Sequence, residues 1–82
     1  MTRKQLAMLA IVADLTDTKG FSPTHAEVAS KRGGSRQATR QMLQYLRNAG
    51  FVDWIDGDSR TLHITSSGRA KLKRERASAA AA

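Results

Sequence analysis

This 82-residue chain predicts a mainly α-helical fold with one small β-hairpin. Three observations carry that prediction. Thr2, Thr24, Ser35 and Thr65 each stand where a hydroxyl can cap a helix start, and Gly20, Gly33 and Gly50 stand where a glycine can close the first three helices. After Gly50 the apolar period shortens from 3.6 to 2 through Phe51-Val52-Asp53-Trp54-Ile55. The chain is 40% apolar with few aromatic residues, enough for a globular core of modest size.

The first helix is expected from about Arg3 to Thr18. Thr2 and Gln5 have the spacing of a capping box, and Leu6, Leu9, Ala10 and Ala13 share a face that Ile11 and Val12 widen. Lys19 places a cation at the negative helix end and Gly20 stops it. Phe21-Ser22-Pro23 is an extended connector, because proline disfavours helical backbone at Ser22. Thr24, with Glu27 three positions on, opens a short helix whose apolar residues are Ala26, Val28 and Ala29, and Gly33-Gly34 ends it. Ser35 caps a third helix that runs to about Asn48. Two short helices joined by a glycine-bearing turn form a helix-turn-helix.

Phe51 to Ile55 and Thr61 to Ile64 read as two strands around the turn cluster Asp56-Gly57-Asp58-Ser59. Such a hairpin must pack on the helices to persist. Trp54 is expected in the core, and His63 outward with Thr61, without a chemical role. Thr65 caps a last helix from about Ser66 to Arg76. The order α-α-α-β-β-α is that of a winged helix-turn-helix. One domain over residues 1–76 is expected, followed by a frayed Ala-rich tail over residues 77–82.

Charge narrows the function. Fourteen Lys and Arg against seven Asp and Glu give +7. The absence of cysteine removes disulfides, thiolate metal sites and Cys nucleophiles. Asp53, Asp56 and Asp58 lack the bidentate Glu of a calcium loop, Ser66-Ser67 lacks a catalytic partner, and no glycine segment has a nucleotide fingerprint. No catalytic residue, metal, cofactor or small-molecule ligand is therefore expected. No apolar stretch approaches the roughly 20 residues of a membrane span, so a cytoplasmic protein, nucleoid-associated when bound, is expected.

The third helix is the most informative segment. At 100° per residue Ala38, Thr39, Met42, Leu43, Tyr45, Leu46 and Ala49 fall in an arc of about 160°. The other arc holds Arg36, Gln37, Arg40, Gln41, Gln44, Arg47 and Asn48, without a carboxylate or a lysine. An ordinary solvated face mixes Glu with Lys and gains from their pairing four residues apart. Arginine can grip guanine O6 and N7, and glutamine adenine N6 and N7, while carboxylates would repel phosphates. Ser35, Arg36, Gln37, Arg40 and Gln41 are the expected groove residues, with Gln44 and Arg47 nearer the phosphates. Thr24 is a cap whose helix start can also hold a phosphate, and His25 stands beside it. Arg60, the cation of the hairpin, is the expected wing contact. A further +4 lies between Ser66 and Arg76.

Residues 2 to 65 resemble the N-terminal DNA-binding domain of LexA-type repressors. The shared pattern is Gly20, Pro23-Thr24-x-Ala26-Glu27-Val28-Ala29, Gly33, then a serine-started helix with Leu43 and Leu46, and Gly50. Ser35 to Arg40 is also similar to GntR and MarR regulators, and Ile64 to Ala70 resembles the MarR segment after the wing. The resemblance implies a DNA-binding transcription regulator with Ser35, Gln37, Ala38, Arg40 and Gln41 at groove-reading positions. Arg32 and Gly34 replace apolar residues of those families, which predicts a looser turn. Arg40 and Gln41 replace acidic ones, which argues against a shared operator.

The expected function is thus that of a prokaryotic or phage transcription regulator, such as a repressor, bound to specific double-stranded DNA. A winged-helix protein adaptor and an accessory factor of replication or recombination are the alternatives. A homodimer on palindromic half-sites is an open expectation, with Leu72 and the last helix, or the first helix, as its contact.

Overall fold

The computed structural model describes residues 1–58 and 60–81. Ser59 of the expected turn and Ala82 of the alanine run lie outside them. The elements are α1 (Arg3–Lys19), α2 (His25–Arg32), α3 (Arg36–Asn48), β1 (Val52–Asp53), β2 (His63–Ile64) and α4 (Ser66–Ala81). This is the expected order. The radius of gyration is 12.0 Å, as anticipated for a chain of this length.

The helix starts form as their hydroxyls predict. Thr2 Oγ1 accepts from the Gln5 N–H at 3.2 Å and Gln5 Oε1 from the Thr2 N–H at 2.9 Å, a complete capping box. Thr24 and Glu27 repeat it at 3.1 and 2.9 Å. Ser35 Oγ accepts from the Ala38 N–H at 3.0 Å, and Thr65 Oγ1 from the Gly68 N–H at 3.0 Å. Gly33 closes α2 in the left-handed region, φ 81°, where a β-carbon would be strained. The turn that follows is filled rather than loose. The guanidinium of Arg32 lies where a Cβ on Gly34 would stand, so Gly34 leaves room for the arginine to fold back. Past the expected limit at Arg76, α4 continues through the alanine run to Ala81, in keeping with alanine's high helix propensity.

The core gathers Met8, Leu9 and Val12 of α1, Val28 of α2, Leu43 and Leu46 of α3, Val52, Leu62 and Ile64 around the hairpin, and Leu72 of α4. Several sequence expectations shift by a fraction of a turn. On α1 the buried stripe is Met8, Leu9, Val12 and Ala13, with Leu6 and Ala10 only partly covered; α2, α3, α4 and β2 all pack on this helix. Ala26 and Ala49 are exposed, and Tyr45 is half exposed at the margin of the predicted arc. Leu72, proposed for a contact between copies, is buried within its own chain. Thr39 is buried with its Oγ1 unpartnered, the inner-face position the wheel predicts.

The hairpin is shorter than its sequence suggests. Only Val52 pairs with Ile64 and Asp53 with His63, antiparallel. The ladder stops because the Asp53 carboxylate captures the Trp54 N–H at 2.8 Å and Thr61 Oγ1 accepts from the Ile55 N–H at 2.9 Å. Side chains thus replace the backbone partners that a longer ladder would supply.

Two contacts hold the layers together. Gly68 lets α4 approach the hairpin, since a Cβ there would collide with the Phe51 carbonyl oxygen and stand 2.7 Å from Ile64 Cγ1. Glu27 joins α1, α2 and the hairpin. Besides the Thr24 N–H it accepts from Lys19 Nζ at 2.9 Å and from Arg60 Nη1 at 2.8 Å. The Lys19 ammonium and the Thr24 N–H, with Arg60 nearby, hold its carboxyl well below the usual 4.5, at about 2.

Gly68→Ala is expected to lower stability by about 1–3 kcal/mol in chemical denaturation, the overpacking cost exceeding the gain in helix propensity. The depressed Glu27 pKa implies stability that is full above about pH 4.5 and lost as pH falls towards 2. In thermal melts, Glu27→Gln should lower Tm at pH 7 and flatten its fall across that acid window. A Tm profile parallel to that of the unsubstituted protein would show that Glu27 does not carry the linkage.

Candidate nucleic-acid interface

The N-terminal half of α3 and the start of α2 meet at an open cleft of about 730 Å³ lined by His25, Arg36, Gln37, Arg40 and Gln41. Four of these were predicted from the helical wheel and the fifth from its place beside Thr24. The structure brings them together because Val28 of α2 and Leu43 of α3 are both buried in the core, which leaves the polar side of α3 outward. Ser35 is exposed as the α3 cap, Thr24 is half-buried in its capping box, and Ala38 is half-buried at the edge of the polar arc. Arg36 and Arg40 are exposed and make neither ion pair nor side-chain hydrogen bond among the described residues.

The remaining predicted residues are engaged elsewhere. Arg47 is turned onto the hairpin: Nε donates to Asp53 Oδ1 at 3.0 Å, Nη2 to the Trp54 carbonyl at 2.8 Å, and Nη1 reaches Asp56 Oδ1 at 3.3 Å. Its Cζ lies 4.3 Å from the Trp54 ring centroid. Gln44 donates to Asn48 Oδ1 one turn on, at 3.0 Å. Arg60 takes a left-handed backbone, φ 59°, and points away from the wing tip to Glu27 and the Ser22 carbonyl, its Cζ 4.8 Å from the Phe21 ring centroid. The sequence signal for the Arg47 engagement was the string of acids in and around the hairpin, which alone does not reveal which arginine faces them; the Arg60 partner, Glu27, lies on α2.

Trp54 is the residue that sequence reasoning placed only in part. It packs against the core and is half-buried, yet its ring also stands perpendicular to that of His25 at a centroid distance of 4.8 Å. Its Nε1 donates to Asp56 Oδ1 at 2.9 Å. Partial burial, then the positive charges of Arg40 and Arg47, lower the His25 pKa from its ordinary value, with Asp56 opposing them.

On α4 the predicted basic run is partly neutralised. Arg69 clasps Asp17 of α1 with contacts of 2.9 and 3.3 Å, Arg76 lies 3.7 Å from Asp14, and Lys71 pairs with Glu75 at 3.0 Å. The Asp17 carboxyl is held below its usual range by the Arg69 guanidinium. Among the described residues no group of His, Asp or Glu could hold a metal ion, and no helix is long and apolar enough to cross a membrane.

The chain is similar to several known proteins. Over 75 residues the chain is 31% identical to the LexA repressor of Herminiimonas arsenicoxydans, covering 90% of this chain and 34% of that protein. It is 32% identical over 69 residues to the LexA repressor of Thiobacillus denitrificans, covering 83% and 34%. The chain thus spans about a third of the length of these repressors. The M. tuberculosis transcriptional regulator MosR, solved in complex with DNA, superposes with a TM-score of 0.76 at 28% identity, over 90% of this chain and 55% of that one. The M. tuberculosis protein RV1404 shares the fold alone, with a TM-score of 0.71 at 24% identity, over 99% and 56%. Residues 1–61 match the LexA DNA binding domain, and the chain belongs to that family.

Proposed function

We propose that this protein is a transcription regulator that binds specific double-stranded DNA, with the first two turns of α3 in the major groove. The observation that carries the reading is the state of Arg36 and Arg40. Arg47, Arg60, Arg69 and Arg76 meet carboxylates, and of the arginines that do not among the described residues, Arg36 and Arg40 are the two that line the cleft, beside Gln37 and Gln41. Guanidinium and amide groups free of internal partners suit the donor and acceptor pattern of guanine and adenine edges. The family membership and the likeness to a DNA-bound regulator support DNA as the partner.

Arg47 and Arg60 act as positioning residues. Arg47 holds the hairpin against α3, and Arg60 holds its base against α2. Affinity comes largely from phosphate neutralisation and falls steeply with salt. One module makes few base contacts, so two copies on inverted half-sites would complete a site, with a meeting surface other than buried Leu72.

Selection of bound duplexes from random-sequence DNA is expected to recover a purine-containing consensus. Failure to retain any duplex at low salt would favour a protein adaptor instead. On the recovered duplex, Arg40→Ala should lose about 1–3 kcal/mol and relax preference at one base position. Equal losses on recovered and scrambled duplexes would remove Arg40 from base reading. Arg47→Met should weaken binding while leaving the slope of log K against log salt unchanged, since no phosphate contact is lost. A slope reduced by about 0.9 would instead assign Arg47 to a phosphate.

A further inference from the structure

His25 lines the cleft of the candidate DNA surface although it belongs to a different helix from the other four lining residues. It occupies the first position of α2, directly after the Thr24 cap. In a helix-turn-helix, the helix before the recognition helix crosses the sugar-phosphate backbone. Resting on the proposed DNA reading, we propose that His25 is a phosphate contact that takes up a proton when DNA binds, so that affinity is coupled to pH near neutrality.

The surroundings favour this direction. The ring of His25 packs perpendicular to that of Trp54, which is itself clamped by Arg47 on its face and by Asp56 at Nε1. The imidazole therefore stands in one place rather than sweeping through solvent. The charged groups acting on it are Arg40 and Arg47 from α3 and Asp56 from the hairpin, and Arg36 lines the same cleft. Glu27, one turn into α2, is held by Lys19 and Arg60. In free protein the imidazole is thus disfavoured as a cation by partial burial and by two guanidinium groups. A phosphate arriving at the cleft reverses the electrostatic balance: it offsets Arg40 and Arg47 and offers an oxygen to the imidazolium N–H. The proton comes from solvent, and no covalent bond changes.

The sign follows from linkage. A group whose pKa is higher in the complex than in the free protein binds more protons in the complex, so association strengthens as pH falls through the interval between the two values. Each unit of difference corresponds to about tenfold in affinity between the alkaline and acid limits. The relevant interval lies well above the titration of Glu27, so the fold stays intact throughout.

The chain has two histidines and one tryptophan, which makes the test direct. The imidazole resonances of His25 and His63 are followed by NMR from pH 5 to 8, alone and with the duplex recovered by selection, and His25→Gln assigns them. Trp54 fluorescence gives a second record, because an imidazolium in contact with indole quenches it. The expected result is a His25 midpoint below the ordinary histidine value in free protein and at least one unit higher on DNA. Binding of the unsubstituted protein should be about tenfold tighter at the acid limit than at the alkaline one. His25→Gln, still folded by its Tm, should bind with that dependence removed. A His25 midpoint that DNA leaves unmoved or lowers, or a His25→Gln variant with the same pH dependence, overturns the proton linkage while leaving DNA binding in place. Absence of binding to any duplex overturns both readings together.

Discussion

Seven carboxylates shared among fourteen cations is the constraint on which this small fold depends. At +7 the compact state must overcome its own repulsion, and the placement of each acid decides which cations become structural. Glu27 draws Lys19 and Arg60 together and so joins α1, α2 and the hairpin. Asp53 and Asp56 draw Arg47 from α3 onto the hairpin, and Asp14 and Asp17 hold α4 to α1 through Arg76 and Arg69. Such exposed pairs are each weak. Their effect lies in direction: they fix the elements and leave the opening turns of α3 free of negative charge.

That division explains what was readable from residues alone. Helix starts are local events, set by a hydroxyl and an amide three residues on, and Thr2, Thr24, Ser35 and Thr65 all behave as their positions require. The polar face of α3 was readable for a similar reason, since helical periodicity alone places Arg36, Gln37, Arg40 and Gln41 together. Long-range pairing was not. Nothing near Arg60 in the chain indicates that its partner is Glu27, 33 positions earlier. The wheel likewise placed Arg47 on the polar face, nearer the phosphates, yet six positions on Asp53 waits across the turn after α3. Margins blurred as well: Tyr45 sits at the limit of the apolar arc, where a shift of a fraction of a turn decides exposure.

The hairpin shows local chemistry overriding a strand pattern. Phe51 to Ile55 alternates as a strand should, but Asp53 and Thr61 satisfy backbone N–H groups that a longer ladder would have used. The result is a wing held by side chains, with Trp54 at its hinge on α3. A tryptophan in that position does more than fill space. Its face meets Arg47, its Nε1 meets Asp56, and its ring packs perpendicular to that of His25.

The candidate surface on α3 and the wing are therefore not independent parts. Whatever displaces Asp56 from Arg47 and Trp54 also changes the wall against which His25 rests, and His25 borders the same cleft as Arg40. DNA phosphates near the wing would compete with Asp53 and Asp56 for Arg47 while repelling both carboxylates. An acidic wing would thus disfavour approach through its own tip relative to α3, where Arg36 and Arg40 have no carboxylate partner among the described residues. On the proposed reading, the acids would orient the protein on DNA by exclusion: they engage Arg47 and Arg60 and leave Arg36 and Arg40 of α3 open.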